Sequence, residues 1–210
     1  MQRSQRRCRK GRRSNIDRSA TTRGRVLEAA KTLFIAKGYA ATGTPEIAAQ
    51  AGVTRGAVYH HFEDKRALYL ALVEAESAAV AAEIEDAASA ADAPMQMLHT
   101  GASAYLRAMQ KEGRTRLILI EAPAVLGFET VDAIDAKHSR RTLLEGLEAV
   151  IRPSPETSLI GVVNILSAAF DRAAIAIAAG GNFSDYDMAL KQLMDGLVAE
   201  RSTSSSHLSA

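Results

Sequence analysis

The sequence predicts an all-α protein in two parts, and three observations carry that prediction. Apolar residues recur three and four positions apart through most of the 210-residue chain, the spacing of amphipathic helices, and no segment shows the strict alternation of a half-buried strand. Hydrophobic residues make up 47% of the chain while aromatics make up 5% and tryptophan is absent, an alanine-rich balance suited to close helix packing. The net charge of +2 conceals an asymmetry: residues 1–66 hold 15 Lys/Arg against 5 Asp/Glu, and residues 67–210 hold 11 against 19. The first part attracts a polyanion and the second repels one, so the two do different work.

Residues 1–20 carry eight basic residues and one acid, with only Met1, Cys8, Ile16 and Ala20 apolar. That is too little to bury, and the segment is expected to be a disordered basic arm, either merely solvated or adding phosphate contacts. It has no apolar run of an export signal, and the single Cys8 excludes a disulfide framework within one chain, so the expected compartment is a reducing cytoplasm. The first helix is expected over Thr22–Lys37, where Val26, Leu27, Ala29, Ala30, Leu33 and Phe34 share a face and Gly38 ends the run.

The stretch Thr44–Lys65 predicts two short helices joined by a tight turn. Thr44 is the first cap candidate, Pro45 suits the first helical position, and Ile47, Ala48 and Ala51 face inward until Gly52 supplies a left-handed residue. Thr54 then caps a second helix, Arg55–Phe62, in which Val58 and Phe62 point inward. Its outer face holds Arg55, Gly56, Ala57, Tyr59, His60 and His61. An arginine able to bond bidentately to guanine, two residues too small to hold the backbone away, and aromatic and imidazole donors fit the major groove of DNA.

The run from Ile47 to Lys65, of the form I-A-x-x-A-G-V-T-x-G-x-x-Y-x-H-F-x-x-K, resembles the tetracycline-repressor (TetR) family of bacterial regulators, and the resemblance covers roughly Thr22–Leu72. Carried over by position, it implies that Arg55, Gly56, Ala57 and His60 face bases, and that Thr44, Thr54, Tyr59, His61 and Lys65 hold the DNA backbone. It further implies a homodimer on a palindromic operator of double-stranded DNA, a small-molecule effector bound in the second domain, and a cytoplasmic, nucleoid-associated protein.

Asp64 is expected to cap a long helix reaching Ala90, with Leu68, Leu72, Ala75, Ala79 and Ile84 inside and Glu74, Glu76, Glu83, Glu85 and Asp86 outside. Further helices are read at Pro94–Lys111, Thr115–Ala122, Glu129–Arg152, Ser158–Ala179 and Ser184–Arg201, about nine in all, with prolines and glycines between them. The expected division is a basic arm at 1–20, a three-helix helix-turn-helix domain at 21–66, a helical effector-binding and dimerisation domain at 67–201, and a polar disordered tail at 202–210. Ser158–Ala179 has the length of a membrane span, but Asn164, Asp171 and Arg172 are costly in hydrocarbon, so no membrane is expected and a helix packed on several sides is. With Leu190, Leu193, Met194 and Leu197 of the last helix, it is the expected dimer surface.

Among the middle helices, His99, Tyr105, Glu121, Phe128 and His138 are polar or aromatic residues set in apolar surroundings and form the candidate effector set, although each taken singly also fits core or surface. The chain lacks a glycine-rich phosphate loop, an H-E-x-x-H, a G-x-S-x-G and any Cys–His pairing, so neither an enzyme, a cofactor nor a metal is expected. His60 and His61 point about 100° apart on a helix and make a poor metal pair. Two functions remain: a ligand-responsive regulator, most often a repressor in this family, and a constitutive architectural DNA binder. The first requires a cavity in the second domain, and the second a solid core.

Overall fold

The computed structural model describes the backbone of residues 3–151 and 158–204, and side chains over 18–151 and 158–199. Every regular element among the described residues is helical. Two compact units divide the chain at Leu72/Val73, inside the fourth helix rather than at the expected 66/67 boundary.

In the first unit, α1 (Arg3–Ala41) is broken at Gly38, whose φ of 81° and ψ of 168° no helix contains. It starts well before Thr22, so from Arg3 onward the expected disordered arm has helical backbone. Arginine, glutamine and lysine are good helix formers, and a helix needs no core to extend from one that is already packed. The side chains of residues 1–17 lie outside the described residues, as do Met1 and Gln2 altogether. The core is Val26, Ala30 and Phe34 of α1, with Ile47 of α2 (Thr44–Ala51), Val58 of α3 (Arg55–His61) and Leu68 and Tyr69 of α4 (Lys65–Ser89), all nearly free of solvent. Phe34, Tyr39 and Tyr69 form an aromatic triangle with centroids 5.0–5.7 Å apart.

The buried stripe of α4 runs Leu68, Tyr69, Leu72, Val73, Glu76, Ser77, Val80, Ala81, Ile84. Ala75, expected inside, is exposed, and Glu76, expected outside, is buried. The phase is set by an ion pair, because Glu76 receives the Arg114 Nε at 2.9 Å. Arg114 also reaches Glu83 at 3.1 Å and donates to the Ala108 carbonyl, while Thr115 donates to that of Met109. These two residues thus satisfy carbonyls left open at the end of α5 (Pro94–Met109).

A π-helical turn, Arg116–Glu121, leads into α6 (Ala122–Leu126), where Pro123 sits in the first turn and continues the chain as helix instead of ending it. The single helix expected over Glu129–Arg152 is two: α7 (Phe128–Lys137) and α8 (Ser139–Val150), separated at His138 with φ −118° and ψ −99°. Arg140 ties the pair together, pairing with Asp132 at 2.8 Å and donating to its carbonyl. The prolines expected to close this segment, Pro153 and Pro155, lie outside the described residues. α9 (Leu159–Ala178) is capped by the Ser158 hydroxyl, and α10 (Phe183–Ser204) follows a turn in which Asn182 accepts from the Ser184 amide. α10 takes in the first three residues of the expected disordered tail, and residues 205–210 lie outside the described residues.

α9 is long and apolar enough to cross a membrane by length and composition. One side of it packs into the unit through Val163, Leu166, Phe170, Ala173 and Ala174. The other exposes Ile160 and Ile165, the latter at 72%, and α10 exposes Met188 and Leu193.

Candidate nucleic-acid interface and ligand cavity

The turn between α2 and α3 is built by backbone demands. Gly52 lies at φ 62°, ψ 40°, where a side chain is strained, and a Cβ there would meet Arg25 Nη2 at 2.7 Å. Arg25 needs that space because it donates to the Ala51 and Gly52 carbonyls, closing the end of α2. Thr54 accepts from the Ala57 amide at 3.1 Å and starts α3, as its sequence position predicts. Thr44 does not cap α2: Gly43 occupies that position, and the Thr44 hydroxyl lies 3.1 Å from the Tyr59 hydroxyl.

With Val58 and Phe62 buried, α3 presents Arg55, Gly56, Tyr59 and His60 to solvent, with Ala57 and His61 half-buried beside them. Arg55 lies over the Tyr59 ring at 5.4 Å and reaches its hydroxyl at 3.4 Å, so its guanidinium is partly ordered along the helix. Those bonds from Thr44 and Arg55 lower the Tyr59 pKa. Burial, helped by His60 and Arg23, lowers that of His61, which is therefore neutral near pH 7 and offers a hydrogen bond rather than a charge.

Lys65 also has partners within the protein. Its ammonium donates to the Tyr39 and Thr42 carbonyls at 2.9 and 3.0 Å and lies 4.1 Å from the Tyr39 ring centroid. It fastens the start of α4 to the end of α1. Two of its three N–H groups are used there, which leaves one for a phosphate. Arg23, stacked at 5.1 Å over Phe62, is a further exposed cation beside α3.

The second unit contains a cavity of about 320 Å³, within the usual size of small-molecule sites. Its walls come from α4 (Ile84, Ala88), α5 (Leu98, Gly101, Ala102, Tyr105), α8 (Leu143, Gly146) and α9 (Ser167, Phe170). Glycines create part of the volume: a Cβ on Gly146 would stand 3.0 Å from Leu98, and one on Gly101 would stand 3.3 Å from Ile84. A second cavity, about 40 Å³, shares Tyr105 and Ser139 with the first and is lined by Asp135 and Asp171. There the Tyr105 hydroxyl donates to Asp171 at 2.5 Å and the Ser167 hydroxyl to Asp135 at 3.0 Å. Burial and the Asp135 charge raise the Asp171 pKa to about 6, against the pull of the Tyr105 bond and Arg140, and burial also raises that of Asp135.

A family model described as "Bacterial regulatory proteins, tetR family" matches residues 26–72, and one described as "Tetracyclin repressor-like, C-terminal domain" matches residues 95–199. The chain belongs to the TetR family. Curated TetR relatives include the transcriptional regulator AcrR of Shigella flexneri, 37% identical over 99 residues that cover 47% of this chain and 46% of AcrR. Others are the activator FasR of Mycolicibacterium smegmatis, 46% identical over 52 residues (25% of this chain, 24% of FasR), and the repressor BepR of Brucella suis, 44% identical over 55 (26% of each). The matched stretches span less than half the length of these relatives.

Among solved structures, a TetR-family regulator from Streptomyces coelicolor has a TM-score of 0.68 at 22% identity, covering 87% of this chain and 90% of that one. The complex of RolR with resorcinol has a TM-score of 0.60 at 19% identity, covering 85% of this chain and 88% of that one. The α2–α3 pair, within the residues matched by the model of bacterial regulatory proteins, is the helix-turn-helix of this TetR protein.

Of the candidate effector residues, only Tyr105 lines either cavity. His99 lies against Asp195 of α10 at 2.8 Å, Glu121 pairs with Arg116 at 2.6 Å, and Phe128 is 77% exposed. His138 stands at the α7–α8 break, its buried Nε2 without a hydrogen-bond partner among the described residues. The sequence reading missed Ser167, Phe170, Gly101 and Gly146, as well as Asp171. For Asp171 there was a signal: an acid in the middle of an apolar helix, read only as an argument against a membrane span.

Proposed function

We propose that this TetR protein is a repressor that holds a palindromic operator as a homodimer and releases it when a small, largely apolar molecule occupies the larger cavity. The cavity itself carries this reading, since a constitutive architectural binder calls for a solid second unit. One wall is the end of α4, the helix whose first residue, Lys65, fastens the DNA-reading unit through Tyr39 and Thr42. A ligand that prefers one position of that end changes operator affinity only by its difference in affinity for the two shapes. A coupling of about 1–3 kcal/mol corresponds to a change of roughly 5–150-fold.

On the DNA side, Arg55, Gly56, Ala57 and His60 read bases, while Thr44, Thr54, Tyr59 and His61 position the backbone. The exposed apolar residues of α9 and α10 supply the two-fold partner surface. The protein acts in the cytoplasm on chromosomal DNA.

The test begins by selecting bound fragments from genomic DNA, followed by a screen of small molecules for release. Ala102→Phe, which fills the cavity wall, is then expected to leave operator binding intact and abolish release. Release that persists undiminished in that variant, or the absence of any releasing molecule, favours the constitutive binder.

A further inference from the structure

The larger cavity has a polarity as well as a size. Five hydroxyl groups stand on its wall, and four of them donate their proton into the protein: Tyr105 to Asp171, Ser167 to Asp135, Thr142 to the Ser139 carbonyl and Ser89 to the Asp86 carbonyl. A hydroxyl whose proton is committed presents only lone pairs to whatever lies beside it. Among the described residues, the two ionisable side chains on the wall besides Tyr105 are Glu85 and Glu145, acceptors again, and no Lys, Arg or His lines it.

The charge around the cavity has the same sign. At the exposed rim, Glu85 and Glu145 share one guanidinium, that of Arg141, at 2.5 and 2.9 Å. Behind the deep end, Asp132 and Asp135 share Arg140, at 2.8 and 3.4 Å, and no salt bridge reaches Asp171 among the described residues. Each cluster holds more carboxylates than cations. A ligand carrying a carboxylate or phenolate meets like charge and one uncommitted hydroxyl, that of Ser139, whereas a protonated nitrogen finds acceptors already turned toward it.

Resting on the reading of this cavity as the effector site, we infer that its ligand is an organic cation: an apolar, ring-sized body bearing a protonated N–H group that donates to the Tyr105 and Ser167 oxygens. Tyr105 and Phe170, edge to face with centroids 5.6 Å apart, flank the nitrogen with aromatic surface, which further favours a cation. Asp171 and Asp135 are positioning residues, holding the two hydroxyls proton-outward from the cavity.

The test uses the full chain and four probes on one naphthalene body, measured by titration calorimetry at pH 7.5: 2-naphthylmethylamine, its N,N,N-trimethyl derivative, 2-naphthylmethanol and 2-naphthoate. The amine is expected to bind about tenfold or more tighter than the alcohol, as a charge-assisted hydrogen bond implies, with the quaternary cation between them and naphthoate weakest. Asp171→Asn, with its fold checked by circular dichroism, is expected to weaken amine binding more than alcohol binding and so lower the amine-to-alcohol preference. Naphthoate or the alcohol binding at least as tightly as the amine overturns the cation assignment while leaving an effector site in place. An unchanged preference in the folded Asp171→Asn variant overturns it too. If no probe binds and no wider set of molecules releases DNA, the effector reading falls with it.

Discussion

Arg55 opens the exposed face of α3, and its ordering against Tyr59 reduces the entropic cost of the base contact proposed for it. A bidentate arginine–guanine pair is worth about 1–3 kcal/mol of discrimination, so Arg55→Ala is expected to weaken operator binding by that amount and leave binding to random DNA nearly unchanged. Competition gel shifts with operator and scrambled duplex measure both; equal loss on the two places Arg55 on phosphate. Asp171 offers a second prediction. Its carboxyl faces Tyr105 from α5, Asp135 from α7 and Arg140 from α8, and its pKa stands at about 6 against the ordinary 3.8. A folded pKa above the unfolded one means that the ionised group destabilises the fold at neutral pH and that this penalty fades as pH falls from 6 toward 4. Asp171→Asn is therefore expected to stabilise the protein by up to about 3 kcal/mol at pH 7.5, with most of the gain over wild type lost near pH 4. Urea unfolding of both proteins across that range reads the difference directly, and a gain independent of pH contradicts the assignment.

Elements followed local chemistry at most caps and breakers, Thr44 and Pro123 being the exceptions. Gly38, Gly52, Thr54, Asp64 and Ser158 each do what their sequence positions imply, with the Asp64 carboxylate accepting from the Ala67 amide at 2.6 Å. The failures have distant causes. The phase of α4 depends on Arg114, 38 residues away from Glu76, and no helical period reveals that a glutamate in an acidic stretch has a buried arginine waiting. The break at His138 involves no proline or glycine, and the two carbonyl partners of Lys65, which no local pattern reveals, lie more than twenty residues upstream. At Gly52 local and distant demands coincide. Gly52→Ala is expected to cost about 1–2 kcal/mol from the left-handed backbone alone, with the displaced Arg25 adding to it, and thermal melts compare it with Gly24→Ala, whose Cβ meets nothing within 4 Å. Equal melting temperatures for the two variants are the contrary result.

For the whole molecule, two units and opposite charge were legible in composition, while the expectation of a cavity came from the family resemblance; its walls were not legible, since they come from α4, α5, α8 and α9 and span Ile84 to Phe170. The exposed side of α9 and α10 bears on assembly. Leu193 is 54% exposed while its neighbours Leu190 and Met194 are buried, so Leu193→Glu is expected to leave the fold intact. In the proposed dimer it yields monomers in sedimentation velocity and abolishes operator binding, because a single half-site binds weakly. A variant that sediments as a dimer removes these helices from the interface.

The two glycines in the cavity wall set the conditions under which its selectivity changes over generations. Adding one methyl at Gly146 brings an atom to 3.0 Å from the movable end of Leu98, and at Gly101 to 3.3 Å from Ile84, and neither contact is with a carboxylate or with Tyr105. Shape selection and charge selection therefore reside in different codons. On the proposed reading of this cavity, a lineage can narrow the range of guests by single-base changes at the glycines while leaving the residues assigned to the protonated nitrogen and to DNA untouched.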